Sequence, residues 1–408
     1  MAGARSGPDA PDRGSARARS LARPSSAARG VALFLLSWGL LHHGVLARSQ
    51  IRDTPIYERY GEAMADGQVP YRDFDVEYPP AALPVFLLPA LGGGDYDRRF
   101  EGLMAGLGVA CVLLVAASTT ALWAPIVVGL SPLLLGSVVL SRFDLWPAAL
   151  TALALALLLA GRFRLSSASL GVATAAKLYP AVLAPILVAH VWRARGRREA
   201  LVCAAIAASV FAAILAPFVV ASPGGVWQAI WVQAGRPLQL ESLGASLLLV
   251  AHQVFGLDLT MESSHGSQNL AGGAADALAV ASTLAQIVAF AAIWVWYARG
   301  PATRDRLVTA CAAAVCAFIA FGKVLSPQFL IWLIPLVPLV RGRRGLAASG
   351  VLAAALVFTQ LWFPSRYWRL ALEFDAAASW LVLARDLTLV ALAVLLIARV
   401  EPGRSRSV

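Results

Sequence analysis

Residues 200–221 read ALVCAAIAASVFAAILAPFVVA, a run of 22 positions with no charged side chain. Wound as a helix it is about 33 Å long at 1.5 Å per residue, enough to cross about 30 Å of hydrocarbon. Comparable apolar runs recur from Val31 to Arg399, so the decision rests on many segments. The whole chain agrees: 408 residues, 59% hydrophobic, 14% charged, mean hydropathy +0.70. That balance excludes an ordinary soluble domain and predicts an all-α, polytopic transmembrane helical bundle.

The formal charge of +11 would suggest a nucleic-acid partner in a soluble protein. Here the arginines fall in short clusters between apolar runs, so they report topology, and the partner is the lipid bilayer. Positive-inside counting puts the Arg-rich start, Arg162 and Arg164, residues 193–198, 299–306 and 341–344, and the C-terminal tail on the cytoplasmic side. Both termini are then cytoplasmic in a multi-pass plasma-membrane protein. Residues 49–78 carry Asp53, Glu58, Glu62, Asp66, Asp73, Asp75 and Glu77 against Arg52, Arg59 and Arg72, and form a first external loop. The expected division is a disordered tail at 1–29, a membrane domain at 30–399 and a tail at 400–408.

An even number of crossings satisfies this scheme, about 12 within a range of 10 to 14. They are 31–47, 79–91, 102–120, a short pair within 122–141, 145–160, a second short pair at 170–177 and 179–192, then 200–221, 276–297, 307–322, 327–340, 346–363 and 379–398. The short pairs are broken helices, tolerated at membrane depth only where buried or lining a wet cavity. Their tips, 142–144 and 177–180, point towards the outside. Residues 222–241 and 256–273 are further external pieces, and 243–255 is re-entrant or interfacial. Residues 31–47 lack a clear cleavage site and read as an uncleaved first helix. Cys111, Cys203, Cys311 and Cys316 lie in apolar helices without ligand-like spacing, which predicts buried small hydrophobes, with no disulfide and no metal.

Ionisable groups at apolar helix ends are costly and need a partner or a task. Asp53 follows the first helix in RDTPIYERYG, and the acidic run YRDFDVEYPP comes after it. Ile56, Tyr60, Ala63 and Met64 share one face of a helix expected to lie on the membrane surface. Arg142 and Asp144 sit on the turn in SRFDLW, as a salt bridge or as site residues. Lys177 and Lys323 are the only lysines among 34 basic residues, each where an apolar helix emerges on the outer side. Snorkelling explains them, and so does compact positive charge opposite a phosphate. An external acid that takes a proton from a hydroxyl, beside cations that hold a phosphate, fits sugar transfer from a polyprenyl-phosphate carrier. Such a reaction requires no cofactor and no metal.

In order along the chain, D-x-x-x-Y (Asp53, Tyr57), G-x-x-P-Y (Gly67, Pro70, Tyr71), VEYPP, RFDLWPA, AAKLYP, RPLQLESL and GKVLSPQFLIWLIPL resemble glycosyltransferase family 87 of the GT-C superfamily. The resemblance spans about 32–398. It implies a GT-C-type bundle and a polyprenol-phosphate-mannose-dependent alpha-mannosyltransferase that works outside the membrane with inversion. It also implies that Asp53 is the catalytic base and that Arg142, Lys177 and Lys323 lie in the donor pocket. Some members carry a histidine pair where this chain has Ser326, Pro327 and Gln328.

Asp75 and Glu77 compete with Asp53 for the base. Asp144, Tyr179, Gln328, Arg236 and Glu241 complete the substrate-binding candidates, the last two as hydrogen-bonding groups in RPLQLESL. His265 reads as a solvated loop residue, and Trp227, Trp231, Trp362 and Trp368 as an aromatic belt. The acceptor is a glycolipid, a lipoglycan or a protein. The rival reading is a transporter or lipid flippase, which calls for repeat symmetry and a polar path through the bilayer. No repeat is visible, and the polar groups gather on one side.

Overall fold

The computed structural model describes residues 13–44 and 51–398. Residues 1–12 of the expected N-terminal tail, the stretch 45–50 before the first external loop and the tail at 400–408 lie outside the described residues. Among the described residues the secondary structure is helical apart from one small sheet. Five helices among the described residues are long and apolar enough to cross a membrane: Tyr96–Ser118, Arg197–Ala221, Gly273–Arg299, Gly342–Trp362 and Ala376–Ile397. Shorter apolar helices include Trp123–Leu135, Leu145–Leu159 and Leu243–Phe255. Arg197–Ala221 and Gly273–Arg299 leave most of their apolar surface uncovered, with Val220 84% and Val288 66% exposed. Contiguous apolar surface on this scale suits lipid and not water.

The first helix, Arg13–Leu40, starts well before the apolar run. Residues 13–29, assigned above to a disordered tail, are therefore helical. Alanine and arginine are strong helix formers, and the run extends the helix ahead of its apolar part. Residues 222–241, expected as an external piece, contain the helix Pro223–Ala234, capped by the Ser222 hydroxyl on the Gly225 amide. Residues 256–273 hold a hairpin where a loop was expected. Strands β1 (Leu238–Gln239), β2 (Thr260–Ser264) and β3 (Ser267–Ala271) form an antiparallel sheet in the order β1-β3-β2. The hairpin turn sits on His265 and Gly266, both at positive φ, the backbone a two-residue turn requires.

Two features position the site. One is the hairpin Leu145–Leu159 and Phe163–Ala176, whose turn carries Arg162. Its first helix is about 22 Å long at 1.5 Å per residue, so Asp144 and Lys177 at the open end stand nearly one helix length from the Arg162 turn. Gly171 lets the second helix press on Arg197–Ala221, since a Cβ there would lie 2.6 Å from the Ala207 carbonyl oxygen. The other is the broken stretch Pro327–Leu333 and Val337–Leu339, two short 3-10 helices and not one α-helix. Pro327, Pro335 and Pro338 remove the amide donors that an α-helix needs.

Asp75 is exposed in the first loop, Arg195 is exposed at the end of Ala184–Arg195, and the four cysteines are buried. In intact cells an impermeant maleimide should therefore label Asp75→Cys and leave Arg195→Cys unlabelled until the membrane is opened. The reverse pattern would overturn the charge-derived orientation.

Candidate functional site

Asp53 starts the helix Thr54–Ala65, with Pro55 in its first turn. The helix was expected on the membrane surface, but its Thr54, Tyr57, Tyr60 and Gly61 face is buried in the protein. Gly61 meets the Phe86 carbonyl so closely that any Cβ would clash. The Tyr57 ring stacks on Phe86 at 4.5 Å and meets Phe143 edge-on at 5.8 Å. Aromatic packing thus fixes the helix start against the 142–144 turn.

At that turn the Arg142 guanidinium forms an ion pair with the Asp53 carboxylate and donates to the Ile51 carbonyl at 3.3 Å. The Tyr57 hydroxyl also donates to Asp53, at 3.3 Å. Arg142 is buried, at 5% exposure, and Asp53 keeps partial access to solvent. Two residues on, Asp144 accepts from Lys177 Nζ at 2.6 Å and from the Trp332 indole N–H at 2.6 Å. Lys177 lies over the rings of Phe143 (4.7 Å), Trp332 (5.1 Å) and Phe329 (5.3 Å). Trp332 stacks between Tyr179 at 4.0 Å and Phe329 at 4.2 Å.

Two of the expected phosphate ligands therefore have a carboxylate each. The Lys177 charge is matched by Asp144 inside an aromatic box, which makes the pair a clasp between the broken helix ends. Tyr179 is 1% exposed and its hydroxyl engages Thr151 at 3.1 Å, so it belongs to the packing. Lys323 donates to the Ala234 carbonyl at 3.1 Å, and neither Lys323 nor Arg236 has a carboxylate at ion-pair distance among the described residues. Arg236 lies within electrostatic reach of Glu77 and of Lys177. Glu77 is half-buried below the hairpin turn at Gly266, and its carbonyl accepts from Gln233 at 3.2 Å. Asp75 is exposed, and no hydrogen bond or ion pair joins it to the cluster among the described residues.

Strand β1 carries the third layer. Gln239 donates to Glu241 at 2.7 Å and to Ser326 at 2.9 Å, and its amide N–H donates to the Lys323 carbonyl at 2.9 Å. Glu241 is 2% exposed. Burial pushes its carboxyl up to about 8, against the opposing pull of Arg385 and Arg142. Gln328 neighbours this layer with a buried, unpaired side-chain oxygen. Sequence reasoning missed Trp332, Phe329 and the buried pair Arg385–Asp386, whose Nε···Oδ1 distance is 2.6 Å; Gln239 was among the hydrogen-bonding groups read in RPLQLESL. A signal for the buried pair was present, since VLARDLTL puts two opposite charges inside an apolar helix.

Asp53, Arg142, Asp144, Lys177, Arg236, Glu241 and Lys323 thus come from five separate stretches and converge. Two surface clefts lie outside this cluster. One, about 510 Å³, is at the opposite end of the hairpin beside Arg162 and Arg195. The other, about 520 Å³, opens beside Arg52, lined by Trp38, His42, Asp95, Asp97 and Glu101.

Residues 77–327 match the sequence model of glycosyltransferase family 87. The chain belongs to glycosyltransferase family 87. It is accordingly a membrane glycosyltransferase, and no curated protein matches it. The family 87 match contains Arg142, Asp144, Lys177, Arg236, Glu241 and Lys323; Asp53 and Trp332 lie outside its bounds.

Breaking a buried ion pair by removing one partner costs about 3–5 kcal/mol. Lys177→Met and Asp144→Asn should each lower unfolding stability in detergent by that order, and the double variant should recover part of the loss. Equal stability of the singles and wild type would refute the clasp. Glu241 predicts a pH trend. Its carboxyl holds a proton in the fold between about 4.5 and about 8, so the folded state binds more protons and stability falls as pH rises through that window. Melting temperature should decline from pH 5 to pH 8, and Glu241→Gln should flatten the slope.

Proposed function

We propose that this family 87 member transfers a hexose, mannose by family resemblance, from a polyprenyl-phosphate carrier to an acceptor hydroxyl on the outer face of the membrane. Asp53 takes the proton from the acceptor hydroxyl as its oxygen attacks the sugar C1 from the face opposite the phosphate. The C1–O bond to phosphate breaks, its electron pair leaves with the polyprenyl phosphate, and the configuration at C1 inverts. The observation that carries this reading is the contact of the Asp53 carboxylate with Arg142 where the first-loop helix meets the broken helix pair. There a partly accessible acid stands at the edge of a cluster of cations.

Charge accounting assigns the phosphate. Arg142 and Lys177 already face Asp53 and Asp144, so Lys323 and Arg236 are the cations left to stabilise the departing phosphate. The cleft beside Arg52 is adjacent in sequence to Asp53 and offers carboxylates and a Trp ring, chemistry that suits a hydroxyl-rich acceptor such as a glycolipid or lipoglycan. The position of the basic groups also disfavours a transporter, since they gather at one level and do not mark a path.

Loss of a general base costs about 10²–10⁴-fold in rate. Asp53→Asn should reduce transfer by that factor in nanodiscs with the melting temperature kept within a few degrees. Full turnover by this variant would reject Asp53 as the base. Lys323→Ala should weaken binding of polyprenyl-phosphate mannose by about tenfold or more, the effect of losing one charge-assisted contact. Unchanged donor affinity would remove Lys323 from the phosphate site.

A further inference from the structure

Behind the Asp53–Arg142 pair, five buried polar atoms besides Arg385 Nε and the Asp386 carboxylate it pairs with have no hydrogen-bond partner among the described residues. They are Arg142 Nε, Gln239 Oε1, Glu241 Oε1, Arg385 Nη1 and Trp362 Nε1. Their residues are almost wholly enclosed: Arg142 5%, Gln239 4%, Glu241 2%, Arg385 0% and Trp362 0% exposed. They are also contiguous. Gln239 donates to the other Glu241 oxygen, Arg385 Nη2 donates to the Glu241 carbonyl at 2.6 Å, and the Arg385 guanidinium lies 5.8 Å from the Trp362 ring centre. Glu241 lies within electrostatic reach of Arg142, Arg385 and Asp386.

An unpaired buried polar group costs about 1–3 kcal/mol, and buried groups of this kind are rarely left open. Five in one place form a site whose partners arrive from outside the chain. The polarity of the set identifies them. Three N–H groups, the Gln239 amide oxygen and the Glu241 carboxyl stand together, so the occupant must both accept hydrogen bonds and, at Gln239, donate one. A phosphate only accepts, and it would face the carboxyls of Glu241 and Asp386. A sugar ring, uncharged and rich in hydroxyls, meets both demands.

We infer that Arg385, Trp362, Gln239 and Glu241, with Arg142, form the subsite that holds the hydroxyls of the donor's sugar ring. The inference rests on the proposed transfer reaction and deepens it. Arg385 is the anchor, held by Asp386 at 2.6 Å on one side and holding the Glu241 backbone on the other. The subsite determines which sugar the enzyme accepts, because a ring with a misplaced hydroxyl leaves one of these groups unpaired.

The test uses the full chain in nanodiscs and measures affinity for bare polyprenyl phosphate and for polyprenyl phosphate bearing mannose, glucose or arabinose. Wild type should bind one sugar-bearing lipid at least about tenfold more tightly than the bare lipid, the difference of one or two good hydrogen bonds. Trp362→Phe keeps the ring and removes only the N–H, and Gln239→Met keeps the length and removes the amide; each should shrink that preference several-fold while affinity for the bare lipid stays within twofold. A preference retained in both variants overturns the subsite, and so does a wild type that binds bare and sugar-bearing lipids equally. Binding of none of these lipids by wild type would instead overturn the polyprenyl-phosphate reading itself.

Discussion

Charge in hydrocarbon has to be matched, and this molecule meets that constraint where its apolar helices break. Asp53 meets Arg142, and Asp144 meets Lys177, with Arg142 and Asp144 buried and the pairs only two residues apart at the 142–144 turn. Leaving any of the four alone at that depth would cost several kcal/mol. The pairs therefore tie together the first-loop helix, the hairpin Leu145–Leu159 with Phe163–Ala176, and, through the Trp332 indole on Asp144, the proline-broken stretch 327–339. The site and the fold are held by the same contacts.

The two pairs divide the work. Lys177 and Asp144 are enclosed by Phe143, Phe329 and Trp332, with the lysine 16% and the aspartate 1% exposed at the side chain. Such a pair holds geometry. Asp53, at 22% side-chain exposure, keeps a way out to solvent. An acid that remains reachable beside a fixed cation is suited to proton transfer.

Much of the architecture was legible in the sequence because lipid imposes a simple code. The apolar runs at 200–221, 276–297, 346–363 and 379–398 reappear as the helices Arg197–Ala221, Gly273–Arg299, Gly342–Trp362 and Ala376–Ile397. The tips of the short pairs were also readable, since Arg142, Asp144 and Lys177 interrupt apolar runs. Less legible was who pairs with whom. Lys177, read as a snorkelling side chain or as charge opposite a phosphate, faces Asp144, a contact across 33 positions that no local pattern reveals. The hairpin at 260–271 escaped because its strands are polar, and Trp332 escaped because one indole inside LIWLIP looks like any lipid-facing ring. Composition says which residues avoid water; only packing says which of them carry a hydrogen bond.

The central claim is that the phosphate of a lipid-linked sugar sits against Lys323 and Arg236 with the sugar C1 turned towards Asp53. A cryo-electron microscopy structure of the protein in nanodiscs with polyprenyl-phosphate mannose bound tests it most directly. The account predicts phosphate oxygens within hydrogen-bond distance of at least one of those two cations and the mannose ring between them and the Asp53 carboxylate. A lipid phosphate resolved at the Arg162 end of the hairpin, with the ring remote from Asp53, would contradict it.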